Sequence, residues 1–259
     1  MALIHANFYS ETLGMERSID VVLPQSQNGI GQSGKTLEKV PVLYLLHGAS
    51  DDQTIWQRRT SIERYAVAKG LAVVMPATDL GFYTDMKYGY DFYQFFSKEL
   101  PQVIHEFFPM ISDKREDTFV AGLSMGGFGA LKLGINCPEQ FGYAASLSGL
   151  ADPVMWLAAG GMGFLENCFG SVKETAESIN DLPWRLEQQL KAGVELPKFY
   201  MCCGTEDFLY QINVKFHNQF KDRIDLTYLE EPGTHEWGFW DRNIQRILEW
   251  LPLEKKEAI

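Results

Sequence analysis

Apolar positions along the chain fall into short runs separated by polar, glycine-rich or helical stretches. Two alternating segments open it, around residues 2–12 and 16–23, divided by the turn-like Leu13-Gly14-Met15-Glu16; their period of two predicts antiparallel strands. A polar, glycine-rich segment follows at 25–39. Residues 40–48 (VPVLYLLHG) are then almost continuously apolar, which predicts a central strand buried on both faces. Helical and apolar runs alternate from there. A helix is expected around 59–69, a strand at 70–77 and a long amphipathic segment at 89–108 that stops before Pro109. A strand at 117–124, a small-residue helix at 126–136 and a strand at 143–149 come next. Residues 151–196 are less regular, with a loop at AAGGMGF and a helix over 184–192. Strand 198–204, helix 210–221, strand 225–231 and helix 240–251 complete the pattern. Such alternation predicts an α/β fold whose mixed, mostly parallel sheet is covered by helices on both faces. The length suits one domain over 1–259, with 151–196 as a small insertion within it.

From Gly29 to Thr36 the stretch NGIGQSGKT matches the phosphate-binding pattern G-x-x-x-x-G-K-T. That pattern works only between a buried strand and a helix whose N-terminus faces the phosphates. Here polar PQSQN precedes it, and only LEKV separates Thr36 from Pro41 and the strand beyond. The residue before a proline is biased away from helix. The match is read as a chance one, in a flexible connection between two strands.

Charge narrows the partners. Lys and Arg total 23 against 34 Asp and Glu, a formal net charge of −11, which repels nucleic acid and anionic membranes. No basic run with interleaved aromatics is present. The four cysteines, Cys137, Cys168, Cys202 and Cys203, form no C-x-x-C pair and read as buried, reduced thiols. The first residues lack the basic-then-apolar order of a signal peptide, and no apolar run approaches the ~20 residues of a membrane span. The expectation is a cytoplasmic protein with neither nucleic-acid nor membrane partner. A homo-oligomer is compatible with the sequence, but no apolar stripe demands one.

The chemistry concentrates in FVAGLSMGGFGALKLG. Gly122-Leu123-Ser124-Met125-Gly126 is G-x-S-x-G at a strand-to-helix junction, the context of a nucleophile elbow. A serine hydroxyl needs a base, itself oriented by an acid, and the expected chain order is Ser, Asp or Glu, then His. Downstream of Ser124 stand only His217, inside a helical stretch, and His235, in a loop after a strand. His235 is the base expected. Glu206 and Asp207 both follow strand 198–204; Asp207, next to the apolar pair Phe208-Leu209, is the acid preferred. The oxyanion that forms needs two donors. The Met125 N–H is one, and the Ala49 N–H, in the loop HGAS after the early buried strand, is the other. His47 is read as shaping that loop rather than as a base. Around the substrate pocket His47, Gly48, Trp156 and Trp237 are expected. Neither HEWGF nor HEFFP supplies the second histidine of H-E-x-x-H, no Cys/His cluster has ligand spacing, and no cofactor or metal is expected.

Taken together, YLLHGASDDQTIW, YGYDFYQFFSKELPQVI, GLSMGGFGALKLG, CGTEDFL and PGTHEWGFW resemble the esterase D branch of the α/β-hydrolases, with the closest likeness to the bacterial tributyrin esterases. The resemblance runs from residue 2 to about 251. It implies an α/β-hydrolase fold, Ser124, Asp207 and His235 as catalytic triad, Ala49 and Met125 as oxyanion donors, no cofactor, and short-chain acyl esters as substrates. Some members of the branch act on acetylated sugars or feruloyl esters. S-formylglutathione hydrolases belong to it too, but they tend to carry Ser-Gly where this chain has His47-Gly48. The mycolyltransferases of the branch are secreted. A serine carboxylesterase is therefore expected, with residues 151–196 over the site setting acyl and alcohol size. An acyltransferase, a thioester hydrolase or a non-catalytic interaction protein on the same scaffold are the alternatives.

Overall fold

The computed structural model of the protein describes residues 1–25, 39–161 and 163–253. Among them eight strands form one sheet: β1 (Ala2–Ser10), β2 (Met15–Leu23), β3 (Val42–Leu46), β4 (Ala72–Pro76), β5 (Thr118–Leu123), β6 (Tyr143–Leu147), β7 (Lys198–Gly204) and β8 (Leu226–Glu231). Their order across the sheet is β1-β2-β4-β3-β5-β6-β7-β8. The pairs β1/β2 and β2/β4 are antiparallel, and the remaining neighbours are parallel. The two alternating segments that open the chain thus form the antiparallel edge. Gly14, at φ 65°, closes their turn by donating its N–H to Ser10 O at 2.9 Å. The Gly29–Thr36 match lies outside the described residues.

Helices follow the strands: α1 (Ile55–Arg59), α2 (Ile62–Ala68), α3 (Phe92–Gln94), α4 (Leu100–Phe107), α5 (Met125–Asn136), α6 (Pro153–Ala158), α7 (Leu165–Phe169), α8 (Val172–Thr175), α9 (Leu182–Lys191), α10 (Tyr210–Phe220) and α11 (Trp237–Trp250). Three differ from the pattern expected. The helix expected at 59–69 starts only at Ile62, as α2, and a short α1 precedes it, because Thr60 turns extended between them; its hydroxyl donates to Trp56 O and accepts the Ile62 N–H. The segment 89–108 contains a π turn at Phe95–Glu99 between α3 and α4. Pro101 has no N–H to offer the Ser97 carbonyl, so the hydrogen-bond register widens there. Finally, α11 starts at Trp237 because the Glu236 carboxylate accepts the N–H groups of Gly238 and Phe239 at 2.7 and 2.8 Å.

Both sheet faces are covered. On one, Val42, Tyr44 and Leu46 of β3 join Phe128, Leu131 and Phe216 in a large apolar cluster. On the other, Leu43 and Leu45 meet Trp56, Ile62, Ile244 and Leu248. All five β3 residues are buried, which is why the strand reads as a continuous apolar run. The four cysteines are buried and free. Among the described residues no helix is long and apolar enough to cross a membrane.

Candidate active site

Ser124 lies between the end of β5 and the start of α5, with φ 53° and ψ −114°, a region that L-residues rarely occupy. The conformation is held from both sides: the Ser124 N–H donates to Leu147 O at 2.8 Å, and its carbonyl accepts the Phe128 N–H at 3.1 Å. The flanking glycines are required by space. A Cβ on Gly126 would stand 2.5 Å from Leu46 O and 2.7 Å from His47 O, and one on Gly122 would run into the Gly126 carbonyl. Main-chain atoms cannot retreat as a flexible side chain does. Gly127 has the same constraint against Gly149 Cα, 2.7 Å from where a Cβ would be. G-x-S-x-G is therefore the sequence image of a helix pressed onto two strands.

His235, in the loop after β8, stands between two partners. Its Nε2 is 2.9 Å from Ser124 Oγ and its Nδ1 is 2.8 Å from Asp207 Oδ2. The carboxylate only accepts, so Nδ1 carries the proton and Nε2 accepts from the serine hydroxyl. Asp207, in the loop after β7, has its side chain wholly buried, and its second oxygen accepts the Leu209 N–H at 2.8 Å. Trp240 meets the imidazole edge-on, 4.9 Å between centroids, and donates its indole N–H to Ser148 Oγ at 3.2 Å. Glu206, the other acid considered, turns away from the imidazole. Its carboxylate accepts the Gly233 N–H while its own N–H donates to Gly233 O at 3.1 Å, tying the loop of Asp207 to the loop of His235.

The loop after β3 lies opposite. Gly48 to Asp51 form a turn closed by Asp51 N–H to Gly48 O at 3.3 Å, with Ser50 at φ 66° and Ala49 on the turn's crest. The Met125 N–H heads α5, where the first-turn donors have no acceptor within the helix. His47 is 1 % exposed and faces inward. Its Nδ1 donates to Gly48 O at 2.7 Å, and its Nε2 accepts the Thr78 N–H at 3.0 Å. Burial pulls the imidazole down to about 4, so it stays neutral and holds the β3 loop to the β4 loop. Both ring nitrogens are thus spent inside the fold, and His47 backs the turn instead of walling open space; Gly48 is likewise buried. Trp237 packs edge-on between Trp56 and Trp240. His217 lies on α10, stacked on Tyr228 at 4.3 Å. Among the described residues no group of three or more His, Cys, Asp or Glu is placed to hold a metal ion.

Residues 10–251 match the family model described as "Putative esterase". The chain belongs to this esterase family. An acetyl esterase of Caldicellulosiruptor saccharolyticus is 32% identical, over 97% of this chain and 98% of the relative. The solved fluorophosphonate-binding serine hydrolase F of Staphylococcus aureus superposes with a TM-score of 0.88 at 33% identity, covering 96% of this chain and 98% of that one. An S-formylglutathione hydrolase of the same organism gives 0.85 at 33% identity with the same coverage. The protein is a serine carboxylesterase of the α/β-hydrolase fold, in the esterase D-like branch its motifs resemble.

Several residues of the esterase's site are not evident from its sequence. Phe208 follows the buried Asp207 but is itself 53% exposed, its ring tilted over His235 at 4.4 Å, while Leu209 buries beneath. The pair that looked apolar in sequence therefore splits, one ring outside and one side chain inside. Trp156, on α6, approaches Phe208 at 5.8 Å. Tyr83, at φ 51°, donates its hydroxyl to His47 O at 2.9 Å and braces the β3 loop from below. Arg17 donates to Ala77 O and to Asp79 at 2.9 and 3.0 Å, fixing the loop after β4. Lys132, on α5, is fully buried; its Nζ donates to Thr84 Oγ1 at 2.7 Å and Asn180 Oδ1 at 2.6 Å, and faces the Tyr93 ring at 4.5 Å. Through Asn180 it fastens residues between β6 and β7 to α5, the helix that follows Ser124. An aromatic beside the acid and a lysine inside an apolar helix are the available signals, and neither carries a direction.

Proposed function

We propose that the esterase hydrolyses short-chain acyl esters through an acyl-enzyme formed on Ser124. The observation that carries the reading is one imidazole within hydrogen-bond distance of both a strained serine and a buried carboxylate. In the first half-reaction His235 Nε2 takes the hydroxyl proton as Ser124 Oγ attacks the carbonyl carbon. The Ala49 and Met125 N–H groups receive the oxyanion, and His235 returns the proton to the departing alcohol. In the second, water gives its proton to His235, attacks the acyl carbon, and Ser124 Oγ leaves with that proton. Asp207 keeps the Nδ1–H tautomer throughout and stabilises the imidazolium.

Short acyl groups are supported by the acetyl esterase relative, and O-acetylated carbohydrates are one class of substrate in keeping with it. The 33% identity to an S-formylglutathione hydrolase favours a second reading, thioester hydrolysis by the same residues. Within a single domain over 1–259, residues 151–196 act as a cap, the role we assign to α6–α9, and the protein works in the cytoplasm on small molecules. Intact-mass analysis after a fluorophosphonate probe tests the nucleophile: one adduct on the wild type and none on Ser124→Ala is expected. An unlabelled wild type overturns the mechanism. A p-nitrophenyl series from acetyl upward, run beside S-formylglutathione and with an added alcohol acceptor, then separates ester hydrolysis from thioester hydrolysis and acyl transfer.

A further inference from the structure

Folding does not account for an aromatic ring left in solvent beside a reactive imidazole. Phe208 keeps 53% of its surface exposed, and Met155 keeps 38%. Trp156 is half-buried and lies next to both, on the same helix as Met155 and 5.8 Å from the Phe208 ring. These side chains are fixed from behind. Gly161 leaves no room between its backbone and the Trp156 indole, since a Cβ there would stand 2.5 Å from Nε1, and its N–H donates to Trp156 O at 3.0 Å. Asp152 caps α6 through the Met155 N–H at 2.8 Å and pairs with Lys215 of α10 at 2.8 Å. On the other side, buried Leu209 and the Asp207 carboxylate hold the main chain that carries Phe208. Two rings from two segments are thus set side by side, Trp156 half-buried and Phe208 mostly exposed, and the Phe208 ring lies against the His235 ring.

Reaction geometry says which half of an ester meets them. On the proposed mechanism the carbonyl oxygen points to the Ala49 and Met125 N–H groups. The leaving oxygen must reach His235 Nε2, which holds the proton taken from Ser124. The group attached to that oxygen then passes the imidazole, whose face Phe208 covers. We infer that Phe208 and Trp156 form a stacking platform for the alcohol half of the ester, selecting alcohols that present a flat ring face, a pyranose or an arene. An aromatic face attracts such a ring through dispersion and its electron-rich surface. The inference rests on the triad reading, because without His235 as proton donor the alcohol has no fixed side.

Steady-state kinetics of the intact esterase by pH-stat titration test it. Ethyl acetate, benzyl acetate and a mono-acetylated methyl pyranoside vary the alcohol, while ethyl phenylacetate places the ring on the acyl side. In Phe208→Ala the kcat/KM ratio of a ring-bearing acetate to ethyl acetate falls about tenfold, mainly through KM. Phe208→Leu, which keeps bulk without a flat face, falls by less. The ratio of ethyl phenylacetate to ethyl acetate moves less than about twofold. A fall for benzyl acetate alone, or for the pyranoside alone, supports the platform and identifies the ring it serves. Unchanged ratios, or a fall confined to ethyl phenylacetate, overturn it while leaving the hydrolase reading intact. A wild type that cleaves no ester and takes no fluorophosphonate overturns the mechanism, and the platform with it.

Discussion

Replacing Lys132 by methionine removes a charge from the interior while keeping the volume of the stem, and stabilises the fold by an amount that depends on pH. The ammonium is fully buried on α5, and both of its oxygen partners, Thr84 Oγ1 and Asn180 Oδ1, are neutral. Burial pulls its pKa from 10.5 to about 7, against a smaller opposing pull led by the Asp85 carboxylate. Below about pH 7 the folded and unfolded chains both hold the proton, and the full cost of burying the charge is present. Between about pH 7 and 10.5 the unfolded chain binds a proton that the folded one has lost, so stability rises with pH. At about 1.4 kcal/mol per tenfold, the span sets a ceiling of about 5 kcal/mol. From pH 6.5 to pH 9 the same linkage gives about 2–3 kcal/mol. Lys132→Met is therefore more stable than the wild type at pH 6.5, by an amount that shrinks by about 2–3 kcal/mol at pH 9. Thr84 and Asn180 keep their own 2.7 Å bond in the variant. Buried His47, held at about 4, stays neutral throughout and cancels in the difference. Urea unfolding of both proteins at the two pH values, followed by tryptophan fluorescence, measures it. A gap that does not change with pH, or a variant weaker than the wild type at pH 6.5, would mean that the site does not penalise the ammonium and that its burial carries no net cost.

Substitutions at three further positions probe the catalytic loops and the elbow. Asp207→Asn keeps its amide oxygen on the Leu209 N–H and turns an N–H donor to His235 Nδ1, which reverses the imidazole tautomer, so kcat falls about 10⁴-fold with little change in the thermal midpoint; a loss of less than tenfold would place the orienting acid elsewhere. Glu206→Ala removes the acceptor of the Gly233 N–H, leaving only the main-chain bond to Gly233 O, and loosens the loop of His235, lowering kcat about tenfold or more with KM little changed. Glu206→Gln, whose amide oxygen still accepts the Gly233 N–H, recovers most of it; equal activity in all three proteins denies Glu206 a positioning role. Gly126→Ala forces a methyl against Leu46 O and His47 O, costing about 1–3 kcal/mol and roughly 5–10 °C in the thermal midpoint, together with fluorophosphonate labelling. A variant with wild-type melting and labelling would show that the elbow tolerates a side chain there.

The sheet was legible in the sequence because its strands bury both faces or alternate cleanly, and either pattern is local. G-x-S-x-G was legible because a strained turn under a closely packed helix leaves glycine as the only solution at Gly122 and Gly126. The order of Ser124, an acid and His235 followed from the fold class. Local pattern misses the break at Thr60 and the π turn before Pro101, where one hydroxyl or one missing N–H alters a helix without disturbing its apolar period. Nor does it carry direction at a loop. Ser124 and His235 are 111 residues apart, and their approach depends on the parallel strands β5, β6, β7 and β8 lying side by side. Asp207 faces the imidazole while Glu206 braces Gly233, though the two are neighbours in the chain. Phe208 is outside and Leu209 inside, Lys132 is enclosed, and both nitrogens of His47 are occupied by main-chain groups from the loops after β3 and β4. A strand or helix fixes its side-chain directions by its own period, so sequence alone determines those. A loop side chain takes its direction from whichever distant segments close around it, and that only the tertiary structure decides.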